Sequence, residues 1–376
     1  MISPDLASDN RIDEKPLPER TFADVAITDL HGISAALGDS GADVAGLVTA
    51  LFGGWGDGTF GDTPPTTSKA DVTDDNSPFE YSVVFGEGRR EVRVGCQPQG
   101  SVRPTDPSSS WVAGWRTLQD LQGIGLADLT AAQRVREVFE PRAESAMYGM
   151  GLAAALRRGG PPLIKVYFDP TAAGPGHSRA LIAEAMARLG LTEGWEWLSD
   201  NVLDRVETGF SVFALDLNGG EHARVKIYTT GDFADVPTVE ALTSPLPGCV
   251  PGRAARFCAD LLGPDIRFDR RPPMVCWSFT SATPAHPTEA TLYLPIRCYV
   301  RDDAAALRRV QRLLPAGQSA EFATAVAAIA RRDLAAGTGL IAWAARKLAS
   351  GDPDNLTLYL SVEGYSAGPI NPTKGD

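Results

Sequence analysis

The sequence lacks the features that mark secreted proteins and membrane proteins. It contains five cysteines, an odd number, and no Cys-x-x-Cys pair, so free thiols in a reducing compartment are predicted instead of a disulfide framework. Segment 1–20 is polar and has no apolar signal core. No run approaches the roughly 18 uninterrupted apolar residues of a membrane span. We therefore expect a cytoplasmic protein that does not enter a membrane.

Metal and nucleotide motifs are missing as well. The histidines are few and have no metal-ligand spacing; they are His31, His177, His222 and His286. The run 56–61 (GDGTFG) fits Gly-x-Gly-x-x-Gly, but no predicted strand precedes it and no helix follows it. Segment 71–76 (DVTDDN) comes nearest to an Asp-Asp-x-x-Asp magnesium motif, and its spacing is wrong. We expect neither a resident metal ion nor a cofactor.

The charge balance excludes another class of protein. A formal net charge of −12 argues against a nucleic-acid-binding protein, which would present a basic face. It also makes any local cluster of Lys and Arg informative, because such a cluster opposes the overall balance. Hydrophobic residues form 43% of the chain, enough for a sizeable core. We expect one domain over residues 1–376, with an irregular segment at 1–25 and a flexible tail at 366–376.

Strand-like segments recur in five pairs. Alternation and β-branched residues predict strands at 80–86 and 91–98, 147–156 and 163–170, 211–218 and 223–230, 274–280 and 290–300, and 340–348 and 356–365. The segment 147–156 fits a helix equally well. Helical periodicity appears before each pair, at 28–52, 115–138, 177–202, 239–262 (with a break at 245–252) and 302–335. An antiparallel sheet of about ten strands tends to close, which removes its edges. We therefore predict an α+β fold, a ten-stranded antiparallel β-barrel with helices outside.

Lysine, arginine and tyrosine alternate with apolar residues along several of these strands. Residues two apart share a face of a strand. The shared faces group Lys165 with Tyr167, Arg224 with Lys226 and Tyr228, Tyr293 with Arg297 and Tyr299, and Glu91 with Arg93. In a one-sided sheet these polar faces would meet solvent. In a barrel covered by helices they face the lumen, because the apolar faces meet the helices.

A lumen of this composition favours one kind of ligand. Buried cations need an anionic partner, and Arg and Lys bind diphosphate through charge-assisted hydrogen bonds. Aromatic faces stabilise a positive charge. A diphosphate leaving group beside tyrosines is what the ionisation of an allylic diphosphate requires, with side-chain cations in the place of magnesium.

At these residues the chain resembles the tryptophan dimethylallyltransferase family. Short motifs follow the family's order between residues 77 and 365: Pro-Phe-Glu at 78–80, Lys165-x-Tyr167, Arg224-x-Lys226-x-Tyr228 and Tyr293-x-Pro295. The resemblance implies a barrel of five α-β-β-α units and a bacterial member of the family. It implies that Glu80 accepts a hydrogen bond from the indole N–H. By the same match, the diphosphate ligands are Arg93, Lys165, Arg224 and Lys226, and the residues that shield the allyl cation are Tyr167, Tyr228, Tyr293 and Tyr359.

The activity implied by the resemblance is a metal-independent electrophilic aromatic substitution. A dimethylallyl group passes from dimethylallyl diphosphate to the indole ring of L-tryptophan or another indole derivative. Family members that prenylate carbon 4 carry a lysine on the strand before Lys-x-Tyr, and segment 147–156 has none. Carbon 6 is therefore favoured, with carbon 5 and the indole nitrogen open.

Other departures and alternatives remain. Thr291 replaces a family glutamine, and the late diphosphate arginine has its counterpart in Arg346 or Lys347. Trp277 fits either the core or a wall of the acceptor pocket. Two further functions compete: prenylation of another aromatic acceptor, such as a tryptophan-containing peptide or a phenol, and a non-catalytic barrel that binds an isoprenoid diphosphate.

Overall fold

The chain forms five successive units, each with two helices followed by two strands. The computed structural model describes residues 17–39, 43–65, 73–100, 103–142, 146–157, 159–174, 176–205, 208–231, 233–349 and 355–371. The helices are α1 (Phe22–Ala36), α2 (Val44–Phe52), α3 (Pro107–Gly123), α4 (Thr130–Val135), α5 (Ser178–Arg188), α6 (Thr192–Leu198), α7 (Val236–Thr243), α8 (Arg253–Leu262), α9 (Asp303–Leu313) and α10 (Ala316–Ile329). The strands are β1 (Phe79–Gly86), β2 (Arg89–Cys96), β3 (Met150–Leu156), β4 (Leu163–Phe168), β5 (Thr208–Asp216), β6 (Val225–Gly231), β7 (Met274–Phe279), β8 (Glu289–Leu294), β9 (Ile341–Lys347) and β10 (Leu356–Ser361).

The ten strands close into one antiparallel barrel. Strands that follow one another in the chain are paired, and β1 completes the circle by pairing with β10. The predicted barrel is confirmed, including β3, whose sequence fitted a helix equally well. Each odd-numbered strand begins at one end of the barrel, and each even-numbered strand finishes at that same end. We call it the helix end, because helical segments connect the units there. The two strands of each unit are joined at the opposite end, called the hairpin end.

Strand β8 is shorter than predicted. It ends at Leu294 and is followed by Pro295, whose ring removes the N–H that a further ladder bond would need. Residues Ile296–Cys298 then form a single turn of 3-10 helix. Arg297 and Tyr299 therefore do not continue the lumen face of this strand, and the prediction that they do is wrong.

The long helical segments predicted from periodicity are each divided in two. Left-handed glycines stand at four of the divisions: Gly38 (φ 71°), Gly125 (φ 76°), Gly190 (φ 75°), and Gly248 (φ 72°) with Gly252 (φ 76°). Residues with a Cβ rarely adopt this conformation, so glycine can end a helix there at little cost. The break predicted at 245–252 is confirmed between α7 and α8. None of the described helices is long and apolar enough to cross a membrane.

The apolar faces of the strands lie under the helices. Phe168 of β4 stacks on Phe139 with the ring centroids 5.2 Å apart. Phe85 of β1 meets Phe322 of α10 edge-on at 6.1 Å. Since successive side chains of a strand point to opposite faces, the residues that alternate with these phenylalanines face the lumen.

Trp277 of β7 belongs to the outer layer. Its side chain is fully buried, and its ring lies 6.1 Å from that of Trp197. Its indole N–H donates a hydrogen bond of 3.0 Å to the Thr229 hydroxyl. The core interpretation of Trp277 is therefore right, and its place among the candidate pocket residues is wrong.

The two ends of the chain are more ordered than predicted where they are described. Helix α1 begins at Phe22, within the segment 1–25 predicted to be irregular, and residues 1–16 lie outside the described part. Near the other end, Gly368 forms a bridge with Thr338. Asn371 donates two hydrogen bonds of 2.8 Å to backbone carbonyls that follow β8. Residues 372–376 of the predicted tail lie outside the described residues.

A buried ion pair links the first and last units to β1, and its removal should destabilise the barrel. The Asp29 carboxylate accepts a hydrogen bond of 3.0 Å from the Tyr81 hydroxyl and one of 2.7 Å from Arg331. Asp29→Ala removes the anionic partner of Arg331, whose side chain is 21% exposed, and the acceptor of the buried Tyr81 hydroxyl, so we expect the free energy of unfolding to fall by about 3 kcal/mol. Urea unfolding followed by circular dichroism measures this change.

Tyr81→Phe provides the control for that experiment. It removes one neutral donor and keeps the ion pair, so the loss should be about 1 kcal/mol. Equal losses from the two variants would show that the ion pair between Asp29 and Arg331 contributes nothing beyond the hydrogen bond of Tyr81.

Candidate active site

The barrel encloses a cavity of about 390 Å³. Its walls come from β1 to β10 and from the loop before β7, and they combine cations, tyrosines and small residues. The lining includes Glu80, Ser82, Arg93, Gly95, Gln97, Gly151, Ala153, Lys165, Tyr167, Lys226, Tyr228, Arg271, Met274, Tyr293, Trp343 and Tyr359. The polar faces that the sequence predicted for the lumen therefore meet in one space.

Three of the predicted diphosphate ligands line this cavity from three different strands. They are Arg93 of β2, Lys165 of β4 and Lys226 of β6. The lysines are buried, with 4% and 8% of their surfaces exposed. The fourth, Arg224, precedes β6 and does not line the cavity, but its Nε lies 2.6 Å from Asp216 Oδ2. Four cations thus gather in the half of the lumen nearer the hairpin end.

Asp216 is a member of this group that the sequence analysis missed. It ends β5, opposite Lys165, and its Oδ1 lies 3.5 Å from the Lys226 ammonium group. Burial opposes its ionisation, but Lys226, Lys165 and Arg224 outweigh burial and lower the pKa of Asp216. Asp216 was predictable from the sequence. It shares a face of β5 with Val212 and Ala214, and β5 pairs with β6, which carries Lys226 on the same face.

Glu91 plays a similar part for Arg93. Its carboxylate lies 2.5 Å from Arg93 Nε and 2.8 Å from Arg89. Burial opposes the charge, yet Arg93 and Arg89 lower the pKa of Glu91 to about 2. The Glu91 carboxylate therefore holds Arg93 in place, and the Asp216 carboxylate holds Arg224. Neither carboxylate lines the cavity, so neither occupies space in it.

The cluster carries an excess of positive charge. With both lysines protonated, four cations (Arg93, Lys165, Arg224, Lys226) minus two carboxylates (Glu91, Asp216) leave a net charge of +2, without Arg89, whose side chain is 42% exposed. Burial, then the neighbouring Lys226 and Arg93, hold the pKa of Lys165 well below 10.5. Burial also lowers the pKa of Lys226 in spite of Asp216. An anion with two or more negative charges would relieve this imbalance.

The predicted tyrosines form a connected layer beside the cations. The ring of Tyr293 lies 5.7 Å from that of Tyr228 and 5.7 Å from that of Tyr359. The Tyr359 hydroxyl donates to the Tyr293 hydroxyl over 3.4 Å, and Tyr167 packs against the same group. Along β4 and β6 each tyrosine follows a lysine by two residues, toward the helix end. Aromatic faces in this position can stabilise a positive charge that develops beside a bound anion.

Glu80 lines the cavity near its helix end. It is the second residue of β1 and lies opposite Gly95 of β2 and Ser361 of β10. A Cβ on Gly95 would stand 3.5 Å from Glu80 Cγ, so glycine leaves room beside the carboxylate. The strand β3 adds further open space, because its lumen-facing Gly151 and Ala153 are small.

The remaining candidates lie outside the cavity. Thr291 has lumen parity, between Cys276 and Lys347, but does not line the cavity. Arg297 forms an ion pair with Asp74, in the loop before β1. Tyr299 instead holds the loop before β7 through its hydroxyl. The prediction that Arg297 and Tyr299 face the lumen is therefore wrong, and Thr291, the replacement for a family glutamine, lies outside the cavity lining.

The two counterparts proposed for a late diphosphate arginine point to opposite sides of β9. Arg346 lies over the Phe257 ring at 5.2 Å, in the helix layer. Lys347 has lumen parity and lies 2.5 Å from the Glu289 carboxylate. Lys347 is thus the one of the two on the lumen side, although it does not line the cavity.

The lowered pKa of Lys165 generates a prediction about anion binding. Inorganic diphosphate should bind better when Lys165 is protonated. The affinity of the protein for diphosphate should therefore fall as the pH rises through the lowered pKa of Lys165 and this side chain loses its charge. Binding above that pKa should take up protons from the buffer. Titration calorimetry in two buffers of different ionisation enthalpy measures both quantities.

Lys165→Met isolates the contribution of this lysine. The ionisation of diphosphate itself is the same for both proteins, so the difference between their pH profiles belongs to the side chain. Identical pH profiles for the wild type and the variant would rule out Lys165 as the titrating ligand.

Comparisons with known proteins agree with this geometry. A family profile described as tryptophan dimethylallyltransferase matches residues 58–327. A solved 6-dimethylallyl tryptophan synthase superposes with a TM-score of 0.84 at 30% identity, over 94% of this chain and 99% of that chain. The 6-dimethylallyltryptophan synthase of Micromonospora olivasterospora, in complex with DMASPP and Trp, has a TM-score of 0.83 at 30% identity, over 93% of this chain and 99% of that chain. The 5-dimethylallyltryptophan synthase of Streptomyces coelicolor has a TM-score of 0.81 at 29% identity, over 92% of this chain and 99% of that chain.

The profile covers more than half of the chain, and the solved structures cover nearly all of it. The barrel of five repeated units and its lumen of cations and tyrosines are in keeping with these matches. The chain belongs to the tryptophan dimethylallyltransferase family and is an aromatic prenyltransferase.

Proposed function

We propose that the protein transfers a dimethylallyl group from dimethylallyl diphosphate to the indole ring of L-tryptophan. The observation that supports this most is one cavity that holds a positively charged cluster, a tyrosine layer and a carboxylate in succession. The similar synthase of Micromonospora olivasterospora was solved in complex with DMASPP and Trp, which correspond to the donor and the acceptor proposed here.

The proposed reaction begins with cleavage of the allylic C–O bond. The diphosphate leaves with the bonding electron pair, and Arg93, Lys165 and Lys226 stabilise the charge that grows on it, with Arg224 behind them. These contacts strengthen as the bond breaks, so they should act on turnover more than on substrate binding.

The allyl cation then lies among aromatic faces. Tyr167, Tyr228, Tyr293 and Tyr359 stabilise it and exclude the water that would quench it. An indole carbon attacks the cation and forms the new C–C bond, and loss of the proton from that carbon restores aromaticity. Glu80 accepts a hydrogen bond from the indole N–H, which orients the ring and makes it more nucleophilic.

We further propose that the reaction needs no metal ion. The task of magnesium in allylic chemistry is to neutralise the diphosphate, and the side-chain cluster with its net charge of +2 supplies that neutralisation. Within the described residues, no three His, Cys, Asp or Glu side chains are grouped as a metal site would require. The five free thiols are typical of a protein in the reducing cytoplasm, and this location remains a prediction.

Carbon 6 of the indole is the position we favour. The lumen face of β3 carries Gly151, Ala153 and Ala155, so no lysine reaches the acceptor from this strand. Similar synthases include both 6- and 5-dimethylallyltryptophan synthases, at 30% and 29% identity. Carbon 5 and the indole nitrogen therefore stay as alternatives.

The direct test is an incubation of the purified protein with dimethylallyl diphosphate, L-tryptophan and excess EDTA. We expect a product heavier by one prenyl unit in the mass spectrum, and NMR then identifies the ring position. A product only with added magnesium would overturn metal independence. A product only with another aromatic acceptor would overturn the substrate, and no product from L-tryptophan under any of these conditions would overturn the proposed reaction.

Lys226→Ala tests the role of the cation cluster in turnover. We expect kcat to fall at least about a hundredfold, because a preorganised donor to the leaving group is lost. Lys226→Arg keeps the charge and should retain more activity than the alanine variant. Circular dichroism checks that both variants are folded, and an unchanged kcat in the folded alanine variant would remove Lys226 from the mechanism.

A further inference from the structure

Asp216 is a carboxylate in the middle of the cation cluster, and it does not line the cavity. It is the last residue of β5 and lies directly opposite Lys165 of β4. On its other side, its backbone N–H donates a hydrogen bond of 2.9 Å to the Arg224 carbonyl, and Lys226 follows two residues later. One carboxylate is therefore shared by three cations on the two sides of β5.

The two oxygens of this carboxylate have different partners. Oδ2 accepts a hydrogen bond of 2.6 Å from Arg224 Nε. Oδ1 is buried, accepts no hydrogen bond from the described residues and lies 3.5 Å from the ammonium group of Lys226. The attraction between Asp216 and Lys226 is thus one of charge, and it leaves the N–H donors of this ammonium group available to an anion in the cavity that Lys226 lines.

The other ionisable groups around the two lysines do not supply this negative charge. They are Arg93 of β2, Tyr167 of β4, Arg224 before β6, Tyr228 of β6, Cys276 of β7 and Glu289 of β8. Strand β3, with the sequence MGLAAAL, has no ionisable side chain. Burial raises the pKa of both tyrosines and of the thiol, so these groups stay neutral. Glu289 lies 2.5 Å from Lys347, which leaves Asp216 as the counterion of Lys165 and Lys226.

We propose that Asp216 is a positioning residue of the diphosphate site: its carboxylate keeps Lys165 and Lys226 protonated and so sets the highest pH at which the barrel binds a diphosphate. It acts from behind the cavity wall and does not meet the ligand. Burial lowers the pKa of both lysines, and the charge of Asp216 opposes this effect. The inference rests on the proposed function, because it takes the ligand of the cluster to be the diphosphate of the prenyl donor.

Asp216→Asn tests the proposal. Asparagine keeps the size of the side chain and an acceptor for Arg224, but it loses the charge. Without that charge the pKa of each lysine is lower still, so both lysines should lose their protons at a lower pH. The affinity for inorganic diphosphate should therefore begin to fall at least about one pH unit lower in the variant than in the wild type. Titration calorimetry across neutral and alkaline pH measures this shift.

The pH profiles of the wild type and Asp216→Asn should also cross. Where both lysines are still charged in both proteins, the variant lacks the repulsion between Asp216 and the diphosphate, so it should bind at least as tightly as the wild type. Above the crossing it should bind about tenfold more weakly for each pH unit of the shift. A loss of affinity that is equal at every pH would indicate a purely structural role and would overturn the proposal.

Two further variants are matched controls. Glu91 is the other carboxylate behind the cavity wall, and it pairs with two arginines, which stay charged throughout this pH range. Lys165 is level with Gly95, four residues further along β2 than Glu91. Glu91→Gln should therefore leave the pH at which diphosphate affinity falls unchanged, and so should Asp216→Glu, which keeps the charge. A shift in Glu91→Gln as large as that in Asp216→Asn would overturn the specific role of Asp216.

Circular dichroism checks that Asp216→Asn is folded. If it is not, the double variant Asp216→Asn/Lys226→Met replaces it, because this change removes the carboxylate together with the lysine that lies 3.5 Å from it. A folded double variant would support charge compensation as the role of Asp216. A double variant that stays unfolded would overturn it.

Failure of the proposed function would appear separately. The binding of inorganic diphosphate needs neither L-tryptophan nor turnover. If the wild type forms no prenylated product, the proposed function falls, and the pH profiles of diphosphate binding still decide the role of Asp216. An unshifted profile in Asp216→Asn, in a protein that does form the product, would overturn the inference and leave the proposed function intact.

Discussion

An excess of buried positive charge is the constraint on which the rest of this structure depends. Lys165 and Lys226 face the lumen of the closed barrel and are almost fully buried there. Asp216 and Glu91 offset part of the charge, and they do so from behind the cavity wall. The remaining charge favours the binding of a polyvalent anion, and burial together with the neighbouring Lys226 and Arg93 holds the pKa of Lys165 well below its usual value.

The cavity is organised along the barrel axis, and this order follows from the strands. On β4 and β6 a lysine precedes a tyrosine by two residues, so both side chains face the lumen at successive heights. Glu80 and Arg271 occupy the helix end, where loops between units bring additional side chains. The diphosphate, the allyl cation and the indole of the proposed reaction can therefore lie in succession along the barrel axis.

Several features were predictable because they are local. Period-two alternation specified the strands, and the parity of each strand specified which side chains share a face. Helix boundaries were less accessible: periodicity continued through Gly38, Gly125 and Gly190, whose positive φ angles divide the helices. Pro295 is likewise a local feature that predicts the end of β8, and with the strand ending there Arg297 and Tyr299 are not on its lumen face.

The sequence by itself determined nine of the ten strands, the polar faces of β2, β4 and β6, and the motifs that indicate an aromatic prenyltransferase. Only the tertiary structure decided which of these faces meet and which charges compensate one another. Asp216 joins Lys165 and Lys226 through pairing across β4, β5 and β6, and Arg271 reaches the cavity because Tyr299 holds a loop 28 residues away in the chain. Such contacts depend on strand register and loop placement, which arise from the packing of the whole barrel and have no counterpart in local residue spacing.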